Sequence, residues 1–307
     1  MNVAVLGQEV QKSPISSAPC RSAGQSGARR PTVHKLRLVH KLASRACWCR
    51  TRAQAGGVGH TSDRHQLKTI VSQRGPVVLL RDADAAGISR AVVRRLFDRG
   101  DLVRLAKAAF APTTVIETAS PWEIFRLKSV AFGRSSGPDT YLTGAAAAAV
   151  LRLPMVSEPP DLPTAIRPGN AHLGHDHTPY GRSRHGHLPV QHRTRRDGVA
   201  TVSPAYCAVD VARHFGSQDG LVITDNVLAA GVSREVLARL VADLDRYPGI
   251  GTARWVVEHA DPRAESPLET LGRLAFLGAG LTHRSRTPGF RFATGGTAPT
   301  TCYRTPE

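Results

Sequence analysis

The chain has 307 residues, with 41 Lys and Arg against 24 Asp and Glu, a formal net charge of +17 with His neutral. That length holds about two domains, and 41% apolar with 5% aromatic residues supports modest cores rather than one large one. No apolar run approaches the ~18 residues of a membrane span, no basic start precedes an apolar core, and Cys20, Cys47, Cys49, Cys207 and Cys302 are odd in number and scattered. These features argue against a membrane protein, a secreted disulfide scaffold, a zinc ribbon and an acidic protein, and favour a cytoplasmic protein with reduced thiols.

Residues 1–63 read as a disordered basic extension. Glu9 and Asp63 are its only acids, and its mix of Ser, Gly, Gln, Pro and Arg offers too little apolar surface to offset ordering entropy. Residues 34–42 (HKLRLVHKL) have the pattern of a short basic helix, read as a solvated tail. The acid-poor start imitates a transit peptide, and translation beginning at a downstream Val codon such as Val58 or Val71 is a further expectation.

From residue 64 to 112 the pattern changes to a predicted winged helix-turn-helix. Leu67, Ile70 and Val71 share one face of a helix over 64–74, stopped by Gly75-Pro76. Residues 77–80 read as an apolar link and 81–86 as a short helix closed by Gly87. Ser89 is an N-cap for a helix over 90–99, with Val93, Leu96 and Phe97 inward and Arg90, Ala91, Arg94 and Arg95 outward. Strands over 102–105 and 109–111 flank Ala106-Lys107-Ala108. A helix of this kind fits the DNA major groove, where guanidiniums reach guanine edges and phosphates. Ser89, Arg90, Arg94, Arg95, Arg104 and Lys107 are therefore the candidate DNA-binding residues, and double-stranded DNA the expected partner. Ten Lys and Arg against four Asp between 64 and 111 agree with that.

Residues 113–263 read as a mixed, mainly helical second domain. Ser120-Pro121-Trp122-Glu123 is a capping box with Pro at the first helical position, opening a helix to Phe132. Residues 141–153 read as a small-residue helix. Strands are predicted over 162–166, 188–191 and 199–202, with a mobile basic loop between them carrying His172, His175, His177, His185 and His187, and His192 beyond. Irregular spacing and the neighbouring Arg182, Arg184, Arg193, Arg195 and Arg196 argue against a metal site there. Helices follow from Ser203-Pro204, over 221–230, over 234–246 and to His259, with Asp210 read as a hydrogen-bonded structural acid. Ala229-Ala230-Gly231-Val232-Ser233-Arg234 repeats the corner Ala85-Ala86-Gly87-Ile88-Ser89-Arg90, but the helix after it carries Glu235, Asp243 and Asp245 and is read as a packing or partner element. Glu265-Ser266-Pro267-Leu268-Glu269 opens a last helix ending near Gly280, and 282–307 read as a disordered tail or a slipped reading frame.

Three stretches carry a family resemblance: LKTIVSQRGPVVLLRDADAAGISRAVVRRLFDRGDLVRLAKAAFAP (67–112), VATVSPAYCAVDVARHF (199–215), and VITDNVLAAGVSREVLARLVADLDRYPGIGTARWVVEHADPRAESPLETLGRLAFLGAGL (222–281). Over 64–281 the chain resembles actinobacterial proteins with an AbiEi-type antitoxin N-terminal domain, often fused to a Vsr-like endonuclease domain. The resemblance implies a winged-helix repressor and antitoxin opposing a nucleotidyltransferase-like toxin. Ala106-Lys107-Ala108 departs from the family's usual Arg/Lys-Gly wing turn. After Glu269 the only acid is Glu307, whereas a metal-dependent nuclease needs acidic ligands to hold its ion. Residues 264–281 are thus read as the first helix of a truncated nuclease-like domain, with no catalytic residue, metal or cofactor.

The fold class expected is α+β: an N-terminal winged helix-turn-helix followed by the mixed, mainly helical domain, with disordered termini. The leading function is a DNA-binding, antitoxin-like regulator without catalysis. The alternatives are an endonuclease-related protein, degraded or inactive, and a toxin-neutralising interaction protein whose helical half, 203–281, is the contact surface. The sequence leaves operator, toxin and oligomeric state open.

Overall fold

A computed structural model describes residues 57–169 and 174–280. The predicted extension as far as residue 56, His172 and the predicted tail from 281 lie outside the described residues. The fold is α+β, with 3-stranded and 6-stranded sheets and helices between and after them.

The first region runs α1 (Gly57–Arg74), β1 (Val78–Leu79), α2 (Leu80–Ala85), α3 (Arg90–Asp98), β2 (Leu102–Ala106) and β3 (Ala109–Pro112). This is the element order of a winged helix-turn-helix, with the strands ordered β1-β3-β2. Three expectations need correction. Helix α1 begins at Gly57, inside the stretch read as an extension, and Asp63 prolongs the inward face of Leu67 and Ile70 by one turn, where it meets Arg95 and Arg99. Residues 77–80 are not a plain link: Val78 and Leu79 pair antiparallel with Phe110 and Ala109, which satisfies backbone groups that the core would otherwise strand.

Ile70, Val78, Ala83, Ile88, Val93, Leu96, Leu102 and Phe110 form the core of this region. Phe97, expected inward, is 41% exposed. Val93 and Leu96 define the centre of the buried face of α3, and Phe97 falls at its margin with its ring edge on Phe110, centroids 5.7 Å apart.

The second region contains α4 (Thr113–Thr118), α5 (Pro121–Ser135), β4 (Tyr141–Leu142), α6 (Gly144–Leu151), β5 (Thr164–Pro168), β6 (His175–Thr178), β7 (Gly181–Gly186), β8 (Arg193–Arg196) and β9 (Val199–Val202). The sheet order is β6-β7-β5-β4-β9-β8; the β4–β9 and β5–β7 pairs are parallel and the others antiparallel. The alanines of α6 are buried among α5, the sheet and the helix that follows β9. The single helix expected over 141–153 is a two-residue strand followed by this helix. The segment 175–186, read as part of a mobile loop, forms β6 and β7. The strand expected over 188–191 is absent. There Pro189 has no N–H to donate, the Leu188 carbonyl accepts from the Arg193 guanidinium at 2.9 and 3.1 Å, and the chain makes a 3₁₀ turn at Val190–His192.

Five helices complete the described chain: α7 (Pro204–Phe215), α8 (Ser217–Ala229), α9 (Arg234–Asp243), α10 (Ile250–His259) and α11 (Pro267–Gly278). The turn into α10 requires Gly249: its φ is +78°, and a Cβ there would lie 2.2 Å from the Arg213 carbonyl oxygen.

The two regions share a core across residue 112. Val77, Leu79, Leu105, Ala106, Ala109 and Ala111 pack in one cluster with Phe125, Leu127, Val130 and Ala131 of α5 and with Leu142 of β4. Arg134 of α5 reinforces the joint, donating to Asp82 Oδ2 at 2.5 Å and to the Val77 carbonyl at 2.8 Å, while Arg81 donates to the Arg134 carbonyl at 3.0 Å.

Candidate nucleic-acid interface

The turn between α2 and α3 sets the geometry. Gly87 takes φ +73°, Ile88 N–H donates to the Ala83 carbonyl at 2.9 Å, and Ser89 Oγ accepts from Val92 N–H at 3.4 Å. Ser89 therefore acts as the N-cap, satisfying one of the free donors of the first turn. Arg90, Arg94 and Arg95 all project from α3, with side chains 74%, 84% and 55% exposed.

Each of the three faces a carboxylate. Arg90 Nε and Nη2 both donate to Asp84 Oδ2, at 3.2 and 3.1 Å. Arg94 lies 3.8 Å from Asp98 one turn on. Arg95 forks onto Asp63, Nε to Oδ2 at 3.2 Å and Nη2 to Oδ1 at 3.0 Å, and Arg99 adds a bond to Asp63 Oδ2 at 2.7 Å. Asp63 is 5% exposed. Its hydrogen bond to Arg95 holds its carboxyl below the usual carboxylate range, against the opposing effect of burial and with help from Arg99. Arg95 is thus a clamp between α1 and α3 as well as a surface cation.

On the wing, Arg104 is exposed on β2, with its guanidinium 5.6 Å from the centre of the Phe110 ring that also meets Phe97. Lys107 is exposed in the turn before Ala108, which takes φ +57°. Among the described residues no acid lies within ion-pair distance of either. Between residues 63 and 111 ten Lys and Arg stand against five Asp, so the region stays positive after every pair is made.

Sequence reasoning missed Asp63, placing it in the extension. The signal was available: Asp63, Leu67 and Ile70 fall on one helical face, and Asp63 is the only acid between Glu9 and Asp82.

The other residues singled out by sequence do not form one centre. His177 accepts from Arg182 at 2.8 Å, His192 meets Ser203 Oγ at 2.8 Å, and His185 is adjacent along β7 to Arg184, on the opposite face of the sheet. Asp210, 1% exposed, meets Thr143 at 2.7 Å, Arg184 at 2.6 Å and Arg213 at 3.2 Å. Burial opposes its charge, but Arg184, His214, Thr143 and Arg213 outweigh that and hold its carboxyl below the usual range. Glu269 Oε2 accepts from Glu265 N–H at 3.0 Å, and Glu269 N–H donates to Ser266 Oγ at 3.3 Å, so this carboxylate serves the α11 cap. Among the described residues, no group of three or more His, Cys, Asp or Glu stands ready for a metal ion.

An exposed arginine-bearing helix behind a tight turn, with a basic hairpin beside it, is the architecture of a winged-helix module. Residues 65–111 match a family model described as the AbiEi antitoxin transcriptional regulator. No curated protein matches the chain. A crystal structure of the RV2827C protein from Mycobacterium tuberculosis is similar over 70% of this chain and 81% of that one, with 19% identity and a TM-score of 0.39.

Proposed function

We propose that this chain is a DNA-binding transcriptional regulator of antitoxin type, acting without catalysis. Helix α3 enters the major groove with Arg90 and Arg94 toward bases and phosphates, Ser89 N–H and the first turn of α3 meet a phosphate, and Arg104 and Lys107 of the wing flank them. Arg95 contributes mainly by fixing α3 on α1. The observation that carries this reading is the exposure of Arg90 and Arg94 on a helix held rigidly by its cap, by Asp63 and by the core behind it. The match of residues 65–111 to a regulator family supports it.

The test is binding to the DNA upstream of its own coding sequence, followed by fluorescence anisotropy over a salt series. Arg90→Ala with Arg94→Ala should weaken binding by about 30-fold or more, each lost contact contributing ~1–3 kcal/mol, and should flatten the salt slope. Unchanged affinity in this double variant refutes the assignment of α3.

The family description adds a toxin as second partner, which we read as nucleotidyltransferase-like. Co-purification with the product of an adjacent gene tests that. The reading of α11 as a nuclease remnant is less favoured, because Thr270 and Arg273 of α11 donate to buried Asp225 of α8 at 2.6 and 2.5 Å and so make the helix part of its own helical layer. A plasmid-nicking assay with magnesium, with and without chelator, tests it.

A further inference from the structure

The five aspartates of the winged region divide into two kinds. Asp63 is buried and binds Arg95 and Arg99. Asp82 accepts from Arg134 and from Leu79 N–H, joining α2 to α5. Asp101 accepts from Arg64 at 2.8 Å and lies 3.6 Å from Arg99. These three hold elements together. Asp84 and Asp98 stand at the surface instead: their side chains are 40% and 62% exposed, and among the described residues each has only one side-chain partner, Arg90 across the α2–α3 turn for Asp84 and Arg94 one turn back along α3 for Asp98. Those partners are the two arginines most exposed on α3.

We propose that Asp84 and Asp98 are resident competitors of phosphate that set how strictly α3 discriminates among duplexes. The proposal rests on the reading of α3 as the groove-entering helix. Arg90 places Nε and Nη2 on a single Asp84 oxygen, which occupies the edge of the guanidinium that grips a phosphate. A duplex must displace that carboxylate before Arg90 can engage, and the displaced carboxylate then stands beside the phosphates and repels them. Asp98, 3.8 Å from Arg94 Nε, opposes that arginine by charge alone, without a hydrogen bond. Both pairs are exposed and therefore weak, so they yield to a site whose bases reward the arginines or whose cytosine amino group donates to the freed carboxylate. A site offering only backbone gives no such return. For a chain of net charge +17, whose sequence-independent attraction to nucleic acid is strong, this counter-charge lowers indiscriminate binding more than selective binding.

The experiment compares wild type, Asp84→Asn, Asp98→Asn and Asp243→Asn. Asp243 is exposed on α9, outside the winged region, and reports the effect of one lost negative charge anywhere. Anisotropy is measured on the upstream duplex and on a shuffled duplex of equal length, heparin elution is measured in parallel, and thermal melts check that all four proteins are folded. Asp84→Asn and Asp98→Asn should each bind the shuffled duplex about two- to fivefold more tightly than Asp243→Asn does, and the preference for the upstream duplex should shrink. Affinities equal to those of Asp243→Asn, or an unchanged preference, overturn the proposal. Wild type that binds neither duplex refutes the DNA reading itself. In that case heparin elution decides the counter-charge alone: elution later than Asp243→Asn upholds it, and equal elution overturns it.

Discussion

The corner at 85–90 and the corner at 229–234 have nearly the same sequence and the same backbone. Gly87 and Gly231 take φ +73° and +96°. Ser89 and Ser233 each accept from the N–H three residues on at 3.4 Å, and Ile88 and Val232 N–H return to Ala83 and Val227 carbonyls at 2.9 and 3.2 Å. The arginine that follows has opposite uses. Arg90 points to solvent and meets a single exposed carboxylate. Arg234 turns inward and donates to the Val257, Glu258 and Ala260 carbonyls, closing the C-terminal end of α10. The same turn motif thus opens both helices, and what packs behind the second helix decides whether its first arginine stays at the surface or becomes a strut.

The comparison can be broken in several places. The largest effect is expected at Asp63, which anchors α3 on α1: Asp63→Ala strips Arg95 and Arg99 of their shared partner and should cost about 3 kcal/mol in urea unfolding, whereas Asp84→Ala should stay within about 0.5 kcal/mol of wild type. Next is Arg234→Ala, which leaves α10 carbonyls without donors and should cost about 2 kcal/mol with no change in DNA affinity below its melting temperature; Arg90→Ala should give the reverse pattern. Replacing Gly87 or Gly231 by Ala should cost about 1 kcal/mol each. Both need positive φ, while an added Cβ at either position would meet no atom within 4 Å, so the cost is one of backbone conformation alone. Only Gly87→Ala should also alter DNA binding. The smallest effect concerns acid. Asp261, beside Arg263, is pulled down to about 2; a lowered folded value means its contribution is complete above the unfolded carboxylate value of about 4 and lost as pH falls through about 2. Melts of wild type and Asp261→Asn should therefore converge across that window.

Much of the first region was legible because its signals are local. Ser89, Gly87 and Gly75-Pro76 mark helix ends by their own chemistry, and α3 starts where the cap places it. At Asp63 the helical face was legible but the role was not, because that role depends on Arg95 and Arg99, 32 and 36 positions further on. Strands β6 and β7 were illegible for a different reason. Their sequences, HDHT and GRSRHG, show no apolar alternation, since the buried positions of β7 are Gly181, Ser183 and Gly186. At Gly181 the Phe132 ring of α5 leaves no room for a side chain. The apolar partner of that strand is written in none of its own letters but in an aromatic ring from an earlier helix that covers it.

The wing hairpin is greasy on its underside, and α5 is the surface it rests on. A fragment cut at Pro112 would wet Leu79, Leu105 and Ala106 and should self-associate rather than behave as a portable module. Winged region and mount are therefore a single casting, and whatever tilts α5 tilts the hairpin that rests on it.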